Sequence, residues 1–205
     1  SVFSGCSSLK SINLPETLTT ISQYAFSNCT GLISIIIPDS VTTLAGGAFS
    51  DCSNLTSVNI PTGWTSVGNN YSCTPFYNCS KLTNIVVPEG MTALPNYAFA
   101  YCASLKEIKI DNFNISNARG MSYMFYNCRS LTSINISHFG NKKNKSMDNM
   151  FFGCSSLTYL DMSNFKVSQI INMEQMFYSC RKLKSLDLSG FDTSLVTSMQ
   201  SMFEE

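Results

Sequence analysis

The sequence predicts an α/β solenoid, with a parallel sheet on its concave face and short helices, 3-10 turns and loops on its convex face. Two observations support this fold class. The pattern Phe-x-x-Cys-x-x-Leu-x-x-Ile-x-Ile returns along the whole chain, and one copy of it is too short to bury an apolar core alone. Copies that stack on each other would share one interior, so residues one period apart are expected to be spatial neighbours.

The repeat is clearest at three aligned positions. A cysteine follows each phenylalanine by three residues and a leucine follows that cysteine by three, as in Phe26, Cys29 and Leu32. The alternation at the end of the pattern predicts a strand, and in the first four copies a proline then ends it. The phenylalanines are Phe3, Phe26, Phe49, Phe76, Phe99, Phe125, Phe151 and Phe177, with Phe203 opening a further copy.

The period changes along the chain. Residues 1–110 repeat mainly at 23 and residues 111–205 at 26, and the second part adds Met-x-x-Met-Phe before the cysteine. Met173, Met176, Phe177 and Cys180 have the spacing of one helical face, which predicts short helices with Ser146, Asn172 and Ser198 as N-caps. We expect these methionine side chains to fill the interior of the solenoid and not to form an adaptable binding surface. We expect residues 1–205 to form a single solenoid, a fragment of a longer protein, because the pattern starts and stops within a copy.

Composition excludes several classes of function. Thirteen basic and thirteen acidic residues balance, so no net charge favours nucleic acid as a partner. The apolar runs are too short to insert into a bilayer. Charged residues make up only 13% of the chain, and the abundant Ser, Thr and Asn are typical of secreted proteins.

The cysteines predict neither a metal site nor catalysis. Their spacing of 23 to 27 residues does not fit zinc ligands, so buried free thiols are expected. Cys73 is not one of the repeated cysteines and lies in a four-residue insertion between Trp64 and Phe76. The sequence leaves open whether Cys73 forms a disulfide with Cys79. The insertion is either a functional loop or a tolerated one. His138 has no acid and nucleophile at diagnostic offsets, so the sequence predicts no enzyme, no metal and no cofactor.

The pattern Leu-x-x-Ile-x-Ile with a following Ala-Phe-x-x-Cys resembles the BspA-like leucine-rich repeat of bacterial surface proteins and some parasitic protists. The stretch "MFYSCRKLKSLDLSGFDTSLVTSMQSMF" is similar to the related 26-residue surface-protein repeat. The resemblance covers essentially the whole chain and implies a leucine-rich-repeat solenoid, an extracellular location at the cell surface, and adhesion or recognition without catalysis. One departure is that the Asn of classical repeats after the strand is replaced by Pro with Glu, Asp or Thr.

Side chains between the inward Leu and Ile positions are expected on the concave sheet face, where repeat proteins bind partners. Two candidate groups lie there: the exposed aliphatics Ile33, Ile36 and Val86, and the corner of Tyr159, Asp161 and Asp187. Two carboxylates are too few to bind calcium. The sequence therefore predicts a recognition module that binds a protein or a glycan. A host organism is one source from which this ligand could come. The alternative is a structural spacer that displays other domains.

Overall fold

The computed structural model describes residues 1–65, 74–88, 94, 96–110, 121–137, 139, 145–162, 165 and 168–205. Each strand in these ranges is two or three residues long, because the alternating part of a copy is short and ends in a turn. The strands are β1 (Thr20–Ile21), β2 (Ser34–Ile35), β3 (Thr43–Leu44), β4 (Ser57–Asn59), β5 (Asn84–Val86), β6 (Ser133–Asn135) and β7 (Tyr159–Asp161).

Strands from successive copies pair in parallel, which confirms the predicted strand arrangement. β2, β4 and β5 form one sheet, in which Ser57 lies opposite Asn84. A parallel bridge between Val86 and Lys109 extends it to the next copy, and β6 pairs with β7 further along. β1 and β3 form a separate parallel pair on the segment that returns from each strand. Every pairing therefore joins residues one period apart.

A row of phenylalanine rings runs through the interior. Neighbouring rings stack almost in parallel, with centroids 5.2 Å apart between Phe26 and Phe49 and 5.5 Å apart between Phe125 and Phe151. Trp64 packs edge-on against both Phe76 and Phe99, at 6.4 Å from each. From Phe26 to Phe177 the repeated phenylalanine thus marks the core position of its coil, as predicted.

The predicted helices are not confirmed, because the described segments before each cysteine form single turns. Tyr126 N–H donates to the Tyr123 carbonyl and Cys128 N–H to the Phe125 carbonyl, each three residues back, at 3.1 Å. The Phe125 N–H instead donates to the Met150 carbonyl in the next copy, at 2.9 Å. Alternate N–H groups are therefore used between coils, whereas an α-helix needs them within its own segment.

The residues predicted as N-caps precede turns and not helices, although Asn172 Oδ1 accepts a hydrogen bond from the Glu174 N–H at 2.9 Å. Ser146, Asn172 and Ser198 pair with one another through two parallel bridges. They lie one period apart, so they join successive coils and do not begin helices. The prediction used only the spacing along one copy, which does not show the bonds to its neighbours.

The turns depend on left-handed residues. The position two after each phenylalanine has a φ between 50° and 80° in every copy, including Asn28 at 58° and Asn127 at 57°. Asn, Asp and Gly tolerate this conformation best. The sequence shows them at most of these positions, which are Gly5, Asn28, Asp51, Asn78, Tyr101, Asn127, Gly153 and Ser179.

The repeated cysteines form a row of free thiols beside the phenylalanines. Cys128 donates through Sγ to the Phe99 carbonyl at 3.2 Å, and Cys154 does the same to Phe125. Six of these cysteines are buried, whereas Cys180 is half-buried and Cys6 is exposed. The prediction of buried thiols is therefore confirmed for the inner copies. Cys73 lies outside the described residues.

Candidate binding surface

The strand face consists of the outward side chains of β2, β4, β5, β6 and β7 and of the equivalent positions in the flanking copies. The inward residues of these strands, such as Ile35 and Val58, are buried, while the residues between them point outward. One outward row consists of Ile36, Asn59, Val86, Lys109, Asn135, Asp161 and Asp187. Neighbours in such a row are about 4.8 Å apart, so it extends for about 30 Å.

The aliphatic part of this face is interrupted by an amide. Ile36 is 79% exposed and Val86 is 54% exposed, but β4 lies between their strands and places Asn59 between them. The Asn59 side chain accepts a hydrogen bond from the Ile37 N–H and donates one to the Ile37 carbonyl, both at 2.8 Å. Asn59 therefore fixes the end of β2, and the two aliphatic side chains lie on either side of it.

Ile33 does not share the surface of Ile36. It is 55% exposed and precedes β2, where its carbonyl accepts a hydrogen bond from the Thr56 N–H at 2.9 Å. Ile33 lines a depression that also includes Lys10 and Lys81, whereas Ile36 lines another one beside Glu16. The three predicted aliphatics are thus two separate groups.

Beside Val86 the structure shows a depression that the sequence analysis did not select. It has a volume of about 400 Å³, and its lining includes Asn84, Val86, Glu107 and Lys109. A carboxylate and an ammonium group meet an exposed aliphatic side chain there. The sequence did contain a sign of this depression. The copy of Phe99 has charged residues, Glu107 and Lys109, at both outward strand positions, where the preceding copy has Asn84 and Val86.

The aromatic and acidic corner lies further along the same face. Tyr159 is 60% exposed and lies on the same side of β7 as Asp161, which is half-buried. Asp187 is exposed in the next copy, and its carboxylate accepts a hydrogen bond from the Ser189 N–H at 2.8 Å. Hydrogen bonds from Ser189 lower the pKa of Asp187, so this side chain is ionised at neutral pH.

The two predicted groups are on one face but far apart. Three coils separate Val86 from Asp161, which corresponds to about 14 Å. Between them lie Lys109 and Asn135, both exposed. A small molecule could touch only one group, whereas an extended partner could contact both.

The described residues offer no group of three or more His, Cys, Asp or Glu side chains that could hold a metal ion. Burial raises the pKa of Cys52 to about 12 and that of Cys128 well above its usual value. These thiols stay protonated at neutral pH and are poor nucleophiles. His138 lies outside the described residues. In the part of the chain that the structure covers, no helix is long and apolar enough to cross a membrane.

Two family models match the chain. The family described as "BspA type Leucine rich repeat region (6 copies)" matches residues 1–74. The family described as "Mycoplasma protein of unknown function, DUF285" matches residues 94–205, which is more than half of the chain. No curated protein sequence matches significantly.

Solved structures show the same fold. A leucine-rich repeat protein from T. pallidum is 21% identical, with a TM-score of 0.63, and the match covers 85% of this chain and 78% of that one. A leucine-rich repeat protein from Eubacterium ventriosum is 18% identical, with a TM-score of 0.62, and the match covers 95% of this chain and 58% of that one. At these identities the likeness shows a leucine-rich-repeat solenoid and nothing about ligands.

Proposed function

We propose, from the premise that the chain belongs to the DUF285 family and has BspA-type leucine-rich repeats before that region, that its strand face is a non-enzymatic recognition surface. The observation that supports this most is the outward row from Ile36 to Asp187. It presents aliphatic, amide and charged side chains over about 30 Å, and the exposed ring of Tyr159 lies beside it. Its partner is a protein or a glycan, and the site of action is the outside of the cell.

The properties of this face suit an extended partner. The aliphatic side chains of Ile36 and Val86 offer apolar contact at one end. Glu107 and Lys109 add both charges in the middle, and Asp187 makes the far end acidic. Such a gradient selects a macromolecule that carries apolar groups at one end and basic groups at the other. Exposed Tyr159 offers a flat aromatic surface for either class of ligand.

A second function, a structural spacer, is favoured by the interior. Phenylalanines stack from Phe3 to Phe76 and again from Phe99 to Phe203, Trp64 packs edge-on against both Phe76 and Phe99, and hydrogen bonds join the coils. We include in the proposal that residues 1–205 form one continuous solenoid. A spacer needs coils that are firmly joined, but it needs no particular side chains on the strand face.

A binding experiment separates these functions. The chain is immobilised and tested against a glycan array and against labelled extracellular host proteins, with the captured ligand then titrated. Replacing both Ile36 and Val86 by Ser, or Tyr159 by Ala together with Asp161 by Asn, should weaken binding about tenfold or more. Leu195→Ser is the matched control, since Leu195 is 47% exposed and lies off the strand face. Absence of any saturable ligand, or equal losses in the control, would reject recognition and leave the spacer.

A further inference from the structure

A second aromatic row lies on the surface formed by the turns. Five rings follow one another across successive coils, and we call them the turn-face ladder: Tyr77, Tyr101, Tyr126, Phe152 and Tyr178. Their centroids are 4.9, 5.2, 4.6 and 4.6 Å apart in that order. Tyr77 and Tyr101 are more than a third exposed, and the other three rings are half-buried.

Two different positions of the repeat supply this ladder. Four of the rings, Tyr77, Tyr126, Phe152 and Tyr178, come directly after the core phenylalanine of their copies. In the copy of Phe99 that position is a buried alanine, and Tyr101 from the next position supplies the ring instead. The copies of Phe26 and Phe49 have buried serines there, namely Ser27 and Ser50. The row is therefore confined to the middle and later coils and is not a feature of every copy.

The three later rings, Tyr126, Phe152 and Tyr178, expose their edges and not their faces, whereas Tyr101 lies 62° from the plane of Tyr77 and 57° from that of Tyr126. Tyr126 lies 14° from the plane of Phe152, and Phe152 lies 3° from the plane of Tyr178. Rings that are stacked in this way cover one another's faces. A sugar ring that packs flat on an aromatic face would therefore find the faces between Tyr126, Phe152 and Tyr178 occupied, whereas another row of ring edges could pack between them.

Charged side chains flank the ladder on opposite sides. In the coil of Phe177, Glu174 precedes the ring of Tyr178 and Arg181 follows it. The chain crosses this surface in the same direction in every coil, so residues before the ladder lie on one side and residues after it on the other. Asp148 has the position of Glu174 in the coil of Phe151, and Arg129 has the position of Arg181 in the coil of Phe125, so the coil of Phe177 is the one that carries both charges. Burial raises the pKa of Tyr123, and the nearby carboxylates of Asp148 and Glu174 raise it further.

We propose that the turn-face ladder is a self-association surface on which a second copy of this chain packs side by side, with the two solenoid axes parallel. The spacing of 4.6 to 5.2 Å is that of stacked strands. A partner can engage every rung only if its own groups repeat at the same spacing, and a second copy meets this condition. An extended peptide does not, because its residues advance by about 3.3 Å.

The charges decide the orientation of the two copies. When the two-fold axis runs along the solenoid, the acidic side of each ladder faces the basic side of the other, and Glu174 meets the Arg181 of the second copy in the same coil. When the copies run antiparallel, acid faces acid and base faces base. Because like charges placed opposite each other are costly, the parallel pair is selected. The strand face is on a different side of the coil and stays accessible in this dimer.

Sedimentation equilibrium of the 205-residue chain over the micromolar range tests this proposal. The wild-type chain should dimerise. Arg181→Glu should raise the dissociation constant about tenfold or more, because the reversed charge occurs twice in the dimer. Lys184→Glu is the matched control, with the same charge change on an exposed residue of the same coil but off the ladder, and it should leave the constant within about twofold.

A second experiment exchanges the charges of Glu174 and Arg181 between two variants and looks for a gain of association. Glu174→Lys alone should also impair dimerisation, and mixing it with Arg181→Glu should give a heterodimer while neither variant self-associates. Glu174 accepts a hydrogen bond from the Ser198 hydroxyl at 2.5 Å, so thermal unfolding of each variant verifies that it is folded. A chain that stays monomeric throughout, equal effects of Arg181→Glu and Lys184→Glu, or capture of a polysaccharide or another protein by a monomeric ladder would each overturn the proposal.

Discussion

Truncating Phe151 measures how much the stacked interior contributes to stability. Its side chain has no solvent exposure, and its ring lies 5.5 Å from that of Phe125 and 5.8 Å from that of Phe177. Phe151→Ala removes a fully buried ring between two neighbours that cannot collapse onto each other without moving the coils. The free energy of unfolding should fall by about 3–5 kcal/mol, the range for a buried Phe→Ala change.

Phe203→Ala is the matched control for this truncation. The Phe203 ring is 58% exposed and stacks at 5.6 Å on Phe177, its one stacked neighbour among the residues that the structure describes. Less than half of its area is buried, so the same substitution should cost only about 1 kcal/mol.

Urea denaturation followed by circular dichroism gives both free energies, and the m-value reports whether unfolding remains a single transition. If the interior truncation split unfolding into two steps, the coils would be coupled mainly through this ring. Equal losses of unfolding free energy in the two variants would refute a core shared along the axis. A buried ring with two stacked neighbours would then contribute no more to stability than an exposed ring with one stacked neighbour.

Two further predictions concern the thiols and the turns. Because burial raises the pKa of Cys128 in the folded chain, its contribution to stability is constant below the unfolded thiol pKa of about 8.5 and falls by up to about 1.4 kcal/mol per pH unit above it. Urea midpoints between pH 7 and 10 should therefore decline less steeply for Cys128→Ala than for the wild type, and parallel curves would contradict this. At Asn28, whose φ is 58°, Asn28→Ala should cost about 1 kcal/mol and Asn28→Gly almost nothing, as measured by thermal unfolding. If Gly and Ala were equivalent at this position, the left-handed turn would not be needed for stability.

Several features could be predicted from residues close together in the sequence. The Phe, Cys and Leu positions of the inner copies, such as Phe151, Cys154 and Leu157, are buried as expected. The parallel strands follow from the same pattern, because identical copies that bury the same positions must stack in register. The exposure of Ile36 and Tyr159 also follows, since alternation in a strand fixes which side chains point outward.

Other features depend on contacts between copies, and a single copy does not contain them. The Met-x-x-Met-Phe spacing fits a helix, yet the turns form because alternate N–H groups bind the next coil, as Phe125 binds Met150. That Asn59 separates Ile36 from Val86 follows from the order of the strands and from the hydrogen bonds of its amide.

The period, the buried positions and the direction of the strands follow from the residues of one copy, because burial and alternation act within a copy and are repeated in the others. The tertiary structure decided which outward side chains are neighbours and which backbone groups bind across coils. It also decided that Tyr101 continues the row of Tyr77 and Tyr126 from a different position of the repeat. The physical reason is that these contacts join residues a full period apart, and their geometry is set only when the coils stack.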